Sequence, residues 1–313
     1  MLRRHRPGRA TSARTAGRAR TSIKGERARG PKRRVAGARR DALRFAAMTA
    51  GRTAPTSEAH GRLWGARARD WADVMEGTVR PVFQAVLERA RVGPGTRYLD
   101  VGCGSGMAAQ LAAARGAKVA GVDAAQAMLA IARSRVPDGD FRQGDLEALP
   151  FADHSFDVVT GFNSLQYAAN PTAALREAGR VTSRHGVIVI MTFGDPAGMG
   201  AAALVTALKP LLPPPPPNAP GPFALSDEAA LRRFATDAGL RPVAIFDVDS
   251  PWIFADEAAA LRGLCSTGNS LRAIEQVGEE AVREAYAKAI APFHQPDGSI
   301  RASAWFRCLQ AQR

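Results

Sequence analysis

From residue 97 onward, short apolar runs alternate with stretches whose apolar residues recur every three or four positions. Tyr98–Val101, Lys118–Val122, a short segment around Phe141, Phe156–Phe162, Gly186–Phe193, Pro242–Val248 and Ile300–Leu309 read as strands. Met107–Ala114, Ala125–Arg135, Pro171 to about Thr182, the stretch from a Ser226 cap to Gly239, Asp256–Leu264 and about Ser270–Ile290 read as helices. Upstream, residues 56–92 are helical in pattern. Trp64, Arg67, Ala68 and Trp71 are spaced to share one face, Pro81 opens a second helix, and Gly93-Pro94-Gly95 stops it. The alternation predicts an α/β fold with a mostly parallel sheet covered by helices on both faces. A turn at Pro296-Asp297-Gly298, with no crossover helix before it, predicts an antiparallel last strand at the sheet end. Residues 195–225 and 256–290 interrupt the alternation. The first holds apolar Ala201–Leu208 and five consecutive prolines, Pro213–Pro217, and reads either as a cap over the strand ends or as a surface connector.

Composition changes this picture in one place. The net charge of the 313-residue chain is +14, and residues 1–47 hold 16 Lys/Arg against only Glu26 and Asp41. The remainder is therefore electroneutral, which opposes a broad phosphate-tracking surface and so a nucleic-acid partner. The 1–47 arm has too little apolar surface to order itself. It fits a disordered basic tail, an organelle-targeting segment, or a stretch outside the working protein with Met48 as its start. Residues 48–313 are then one domain. Cys103, Cys265 and Cys308 are far apart and odd in number, so neither a disulfide framework nor a metal site is expected, and a reducing, cytoplasmic setting fits. No apolar run reaches the roughly 18 residues of a membrane span.

The candidate chemistry starts at the end of the first strand. Asp100-Val101-Gly102-Cys103-Gly104-Ser105-Gly106 is a strand running into a glycine turn and then a helix, where free backbone N–H groups favour polar or anionic ligand groups. A dinucleotide fingerprint would need Gly-x-Gly-x-x-Gly. Here Met107 occupies the third glycine's place and Gly106 comes one residue early. A Gly-Lys-Ser/Thr phosphate loop is also absent. Asp123, Asp145 and Asn163 fall at the ends of the next strands, the edge where open α/β sheets bind ligands.

Leu99–Gly106, followed by Asp123, by Gly144–Phe151 and by Ser155–Val159, resembles the class I S-adenosylmethionine-dependent methyltransferases, of the small-molecule type. The resemblance implies a Rossmann-like seven-stranded sheet with helical cap insertions. It also implies S-adenosylmethionine as cofactor, with S-adenosylhomocysteine as product. In it Asp123 accepts from the ribose diol, and Ala124 and Met128 flank the adenine. Asp145, beside Gly144 and the Leu146 N–H, accepts from the adenine amino group. Gly102, Cys103, Gly104, Ser105 and Gly106 bring backbone to the methionine portion, and Asp100 lies near its ammonium. The residues alone leave Asp123 open as a helix-capping acid, Asp145 as a turn cap, Met128 as core and Cys103 as a small packed residue.

Asn163 and Gln166 follow the fourth strand, where methyl and acceptor would meet. The run Asn163-Ser164-Leu165-Gln166-Tyr167 departs from the Asn/Asp-Pro-Pro-aromatic motif of family members that methylate amino groups of nucleic-acid bases, and of some that methylate glutamine, which argues against base or glutamine N-methylation; the leading reading is a small-molecule acceptor. The apolar insertions suggest that it is partly apolar. A non-catalytic cofactor-binding protein and a nucleic-acid methyltransferase using the basic arm are the competing readings. Methyl transfer is an in-line displacement that needs positioning more than acid–base help. No catalytic base is assigned, although His60 and His294 could reach a pocket. Trp64, Arg67 and Trp71 read either as a lid or as helix-to-core packing.

Overall fold

The computed structural model describes residues 56–213 and 221–313. The basic arm and most of the proline run lie outside the described residues. Strands β1 (Arg97–Val101), β2 (Lys118–Asp123), β3 (Asp140–Gln143), β4 (Phe156–Phe162), β5 (Thr182–Phe193), β6 (Arg241–Asp249) and β9 (Trp305–Gln312) form a seven-stranded sheet in the order β3-β2-β1-β4-β5-β9-β6. The pairs from β3 through β5 are parallel, and β9 runs antiparallel to both β5 and β6. Two further strands, β7 (Trp252–Phe254) and β8 (Ile300–Ala302), pair separately.

The core explains the strand pattern. Met191 and Phe193 of β5 face the same side as their register partners Cys308 and Phe306. Ile188 and Ile190 face the other side with Ala311 and Leu309. Both faces are covered, so β1 is buried from Tyr98 to Val101 and reads as an unbroken run. Helix α2 (Arg80–Arg89), with Pro81 in its first turn, buries Val82, Phe83 and Val86 against one face. On the other lie α5 (Pro171–Val181) and α7 (Glu228–Asp237). Between these in sequence, α3 (Met107–Ala113) follows β1, α4 (Gln126–Arg135) follows β2, and α6 (Ala201–Thr206) follows β5. Side-chain caps set several boundaries. Asn170 accepts from the Ala173 N–H at 3.0 Å, and Asp256 from the Ala259 N–H at 2.7 Å before α8 (Glu257–Leu264).

Four expectations need correction. The last strand is not at the sheet end, because β9 inserts between β5 and β6. Its predicted start, Ile300–Ala302, splits off to pair with β7, a strand the pattern did not signal. The predicted 270–290 helix breaks at Gly278, whose φ of 86° ends α9 (Gly268–Val277) before α10 (Glu279–Ile290) begins. The cap of α7 is Asp227, not Ser226: its side chain accepts from the Ala230 N–H. The single face through Trp64, Arg67 and Trp71 is interrupted. Helix α1 (Ser57–Gly65) ends before Arg67, whose backbone is not helical, and the chain resumes through Ala68–Asp70, a π turn at Trp71–Met75 and a tighter turn at Glu76–Val79.

The glycine turn sets a strict packing condition. Gly106 has φ 83°, and a Cβ there would lie 2.7 Å from the Ala132 Cβ on α4. Gly239 has a similar φ of 81° with nothing within 4 Å of the same position. Gly106→Ala is therefore expected to cost about 2–4 kcal/mol in urea unfolding, against about 1–2 kcal/mol for Gly239→Ala, which carries the backbone penalty alone.

Candidate functional site

The carboxyl ends of β1, β2, β4 and β5 open into a cavity of about 1080 Å³. Gly102, Gly104 and Gly106 all have positive φ, and they do different work. A Cβ on Gly102 would meet Ser164 Cβ at 2.4 Å, and one on Gly106 would meet Ala132, so both glycines are demanded by packing. At Gly104 the nearest atom to such a Cβ is Trp71 Nε1 at 3.8 Å. This is the point where a ligand can lie on bare backbone. Cys103 turns inward, buried against Gly121 of β2, and burial pushes its thiol well up, so it packs rather than reacts.

Asp123, at the end of β2, holds the turn in place. One carboxylate oxygen accepts the Gly104 N–H and the other the Ala125 N–H, both at 2.8 Å. It thus closes the turn between β2 and α4, and it also lines the cavity. Burial pushes its carboxyl up, opposed by these backbone hydrogen bonds. Asp145 lines the same end. It accepts the Glu147 N–H at 2.9 Å and the Ser57 hydroxyl at 3.3 Å, which ties α1 to the loop after β3. Helix α1 can lie this close because of Gly61, where a Cβ would stand 2.5 Å from the Ala124 carbonyl oxygen.

Asp100 lies beneath the turn and does not line the cavity, 2% exposed. The Thr160 hydroxyl donates to it at 2.9 Å and is in turn 2.7 Å from the Tyr98 hydroxyl. Burial, despite the Thr160 hydrogen bond and reinforced by the charges of Glu76 and Asp123, pushes its carboxyl up to about 7. A second buried group sits on the other side. Glu76 accepts the Met107 N–H at 3.2 Å and pairs with Arg135, whose guanidinium also donates to the Ser105 carbonyl at 2.9 Å and the Ala72 carbonyl at 3.2 Å.

Of the residues singled out from the sequence, Gly102, Gly104, Asp123, Ala124, Met128, Gly144, Asp145, Leu146, Asn163 and Gln166 line the cavity. Asp100, Cys103, Ser105 and Gly106 lie behind this wall. Asn163 has φ 51°, and its side-chain oxygen accepts from Gln166 Nε2. Its side chain also bonds the Tyr167 phenol, which burial pushes up. His60 lines the cavity and is pushed down by burial and by the charge of Arg272, against a hydrogen bond to the Tyr167 backbone. His294 instead faces Glu257 at 3.2 Å. Trp64 and Trp71 meet edge to face with ring centroids 5.0 Å apart and line the cavity, while Arg67 turns away to pair with Glu279 at 2.7 Å.

Beyond Asn163 the wall becomes apolar, through Phe83, Phe162, Phe193, Leu204, Trp252 and Phe306. Three residues that line the cavity each hold a buried polar atom with no protein partner among the described residues: Gln166 Oε1, Thr192 Oγ1 and Trp252 Nε1. Sequence reasoning missed Gly61, Glu76, Arg135, Thr192 and Trp252. No local motif marks them: Gly61, Glu76 and Arg135 act through partners distant in sequence, and Thr192 and Trp252 sit in strands among core residues.

Residues 99–190 match the methyltransferase domain family. Over these residues, and in its seven-stranded sheet, the chain is similar to the class I S-adenosylmethionine-dependent methyltransferases. Its relatives include the demethylmenaquinone methyltransferase of Renibacterium salmoninarum, 39% identical over 120 residues that cover 38% of this chain and 51% of that protein. The malonyl-[acyl-carrier protein] O-methyltransferase of Erwinia pyrifoliae is 38% identical over 116 residues, 37% of this chain and 44% of that one. The chain thus spans about half the length of the curated relatives it matches. Among solved structures, the YcgJ protein of Bacillus subtilis aligns with TM-score 0.50 and 21% identity over 74% of this chain and 97% of that one, which shows the shared fold. No helix among the described residues is long and apolar enough to cross a membrane.

Two expectations follow from the buried acids. Glu76→Ala leaves the Arg135 guanidinium without its anion and is expected to lower unfolding stability by about 3–5 kcal/mol. Removing the exposed, solvent-screened Arg62–Glu275 pair should leave unfolding stability nearly unchanged. Asp100 is raised in the folded state, so the unfolded chain releases that proton first as pH rises. Its contribution is fully present below about pH 4 and is lost by about pH 7. Asp100→Asn keeps the Thr160 hydrogen bond and removes the titration. Its stability relative to the parent should therefore improve between pH 4 and pH 7 by on the order of 3 kcal/mol, read by chemical denaturation at each pH.

Proposed function

We propose that the chain transfers a methyl group from S-adenosylmethionine to a small, partly apolar acceptor. The observation that carries this is a single cavity with two unlike ends. One has bare backbone at Gly104 and the carboxylates of Asp123 and Asp145, and the other is a chamber of aromatic and aliphatic side chains. The residues present fit the cofactor. Besides the backbone N–H groups it accepts, the Asp123 carboxylate, which lines the cavity, has lone-pair capacity left for a ribose hydroxyl. In this reading Asp145 and the Leu146 backbone meet the adenine edge, and Ala124 and Met128 its faces. Gly102 and Gly104 admit the methionine portion, with the Asp100 carboxyl beneath. When bound, the cofactor supplies a methyl group on a positively charged sulfur.

The chain's own part is to orient and to exclude water. Trp71 stands over Gly104, and α1 closes the adenosine end through Ser57 and Gly61. Asn163, Gln166, Tyr167 and His60 gather where the two ends meet. His60, held down and bonded to the Tyr167 backbone, is able to take a proton from an acceptor at neutral pH. In this reading residues 48–313 are one methyltransferase domain, and the 195–225 and 256–290 insertions are its cap.

Calorimetry with S-adenosylhomocysteine tests the reading. Asp123→Asn should weaken binding by about 10–100-fold, the worth of one or two charge-assisted hydrogen bonds, with a thermal unfolding control for the lost backbone contact. Undiminished affinity would remove Asp123 from the site. A labelled-methyl screen over small-molecule acceptors would then identify the acceptor.

A further inference from the structure

The charges on the cavity wall are sorted by sign. Its described carboxylates, Asp123 and Asp145, both lie at the nucleoside end. Elsewhere its charged side chains are cations, Lys209 and Arg272. They come from elements that touch: α9, which carries Arg272, packs both on α1 and on the turn Lys209–Leu211. Neither cation has an ion-pair partner among the described residues. The acids that α9 and α10 place nearby are engaged elsewhere, Glu275 by Arg62 and Glu279 by Arg67. Both side chains are exposed where the cavity opens, and their unpaired positive charge there attracts an anion. The chamber itself demands an apolar body.

We propose that the acceptor is an amphipathic anion, with its apolar part in the chamber and a carboxylate or phosphate held by Arg272 and Lys209. This rests on the methyl-transfer reading, which makes that part of the cavity the acceptor's place. Arg272 offers a planar fork suited to either oxyanion, and Lys209 a mobile point charge at the rim. The charge division also separates the ligands. A cofactor cation is drawn to the carboxylate end and an anionic acceptor to the other, so each is disfavoured in the wrong half.

The test uses the full chain and N-phenyl-1-naphthylamine, a neutral fluorophore that reports apolar occupancy. Decanoate, decyl phosphate, decanol and decyltrimethylammonium compete for it. The two anions are expected to displace it at concentrations about tenfold below decanol, with the cation weakest, and the gap should narrow as salt rises. The order of decanoate and decyl phosphate distinguishes the two oxyanions. In the double variant Arg272→Gln, Lys209→Gln the anions should fall to the level of decanol while decanol itself stays within about twofold. Equal displacement by decanol and the anions, tighter binding of the cation, or an unchanged preference in the double variant would each overturn the proposal. So would failure of the fluorophore and all four competitors to bind. Calorimetry with S-adenosylhomocysteine on the same samples separates the two readings. Intact cofactor binding with no anion preference defeats only the acceptor proposal, whereas absent cofactor binding defeats the methyl-transfer reading.

Discussion

The Glu76 carboxylate is where the sheet and the segment that covers it are fastened together. It is nearly inaccessible, and both of its oxygens are used, one on the Met107 N–H at the start of α3 and one on Arg135 of α4. Arg135 extends the contact to the carbonyls of Ser105 and Ala72. A buried ion pair gains little net stability over a well-packed apolar pair, because desolvating both charges costs nearly what their attraction returns. What it provides here is position. Residues 71–79 have irregular helical backbone, and the Glu76 tie fixes their height above the glycine turn. Trp71 stands over Gly104 as a result.

The turn is held from the other side by Asp123. A carboxylate that receives two backbone N–H groups cannot drift, so the strand end, the turn and the entry to α4 form one rigid edge. The three glycines divide the remaining work. Gly102 and Gly106 bring the chain against Ser164 and Ala132, while Gly104 is left facing the cavity. The cradle is thus built by local geometry that does not wait for a ligand.

The parts legible in the sequence are those whose cause is local. Strand periodicity, the glycine turn and the acids at strand ends are set within a few residues, so β1 to β6 and the sheet's single antiparallel strand could be read directly. The placement of β9 could not. Which strand edge it joins is decided by side chains of β5 and β6 together, not by its own pattern. The break at Gly278 was readable in principle, since a glycine midway along a helical pattern signals a stop. In the site, the sequence singled out residues carried by motif, and ten of them lie on one wall. It was silent on Glu76, Arg135, Gly61 and Trp252, whose positions depend on contacts across 50 or more residues of chain. Arg67 illustrates the opposite hazard. Its spacing from Trp64 and Trp71 suggested a shared face, but a break in the helix turned it outward.

The strand order carries a consequence for how the molecule assembles. Among the described residues strand β6 is bonded in the sheet only to β9, and residues 250–304 intervene before β9 is reached. While a chain is being made, β5 has a free edge and β6 has no partner at all. The apolar chamber, whose wall includes Phe193 and Phe306 at paired positions, cannot close before that late insertion. Non-local pairing of this kind is slow, and an open strand edge invites other chains. The same insertion that completes the chamber is therefore the interval in which the nascent protein is most exposed to aggregation.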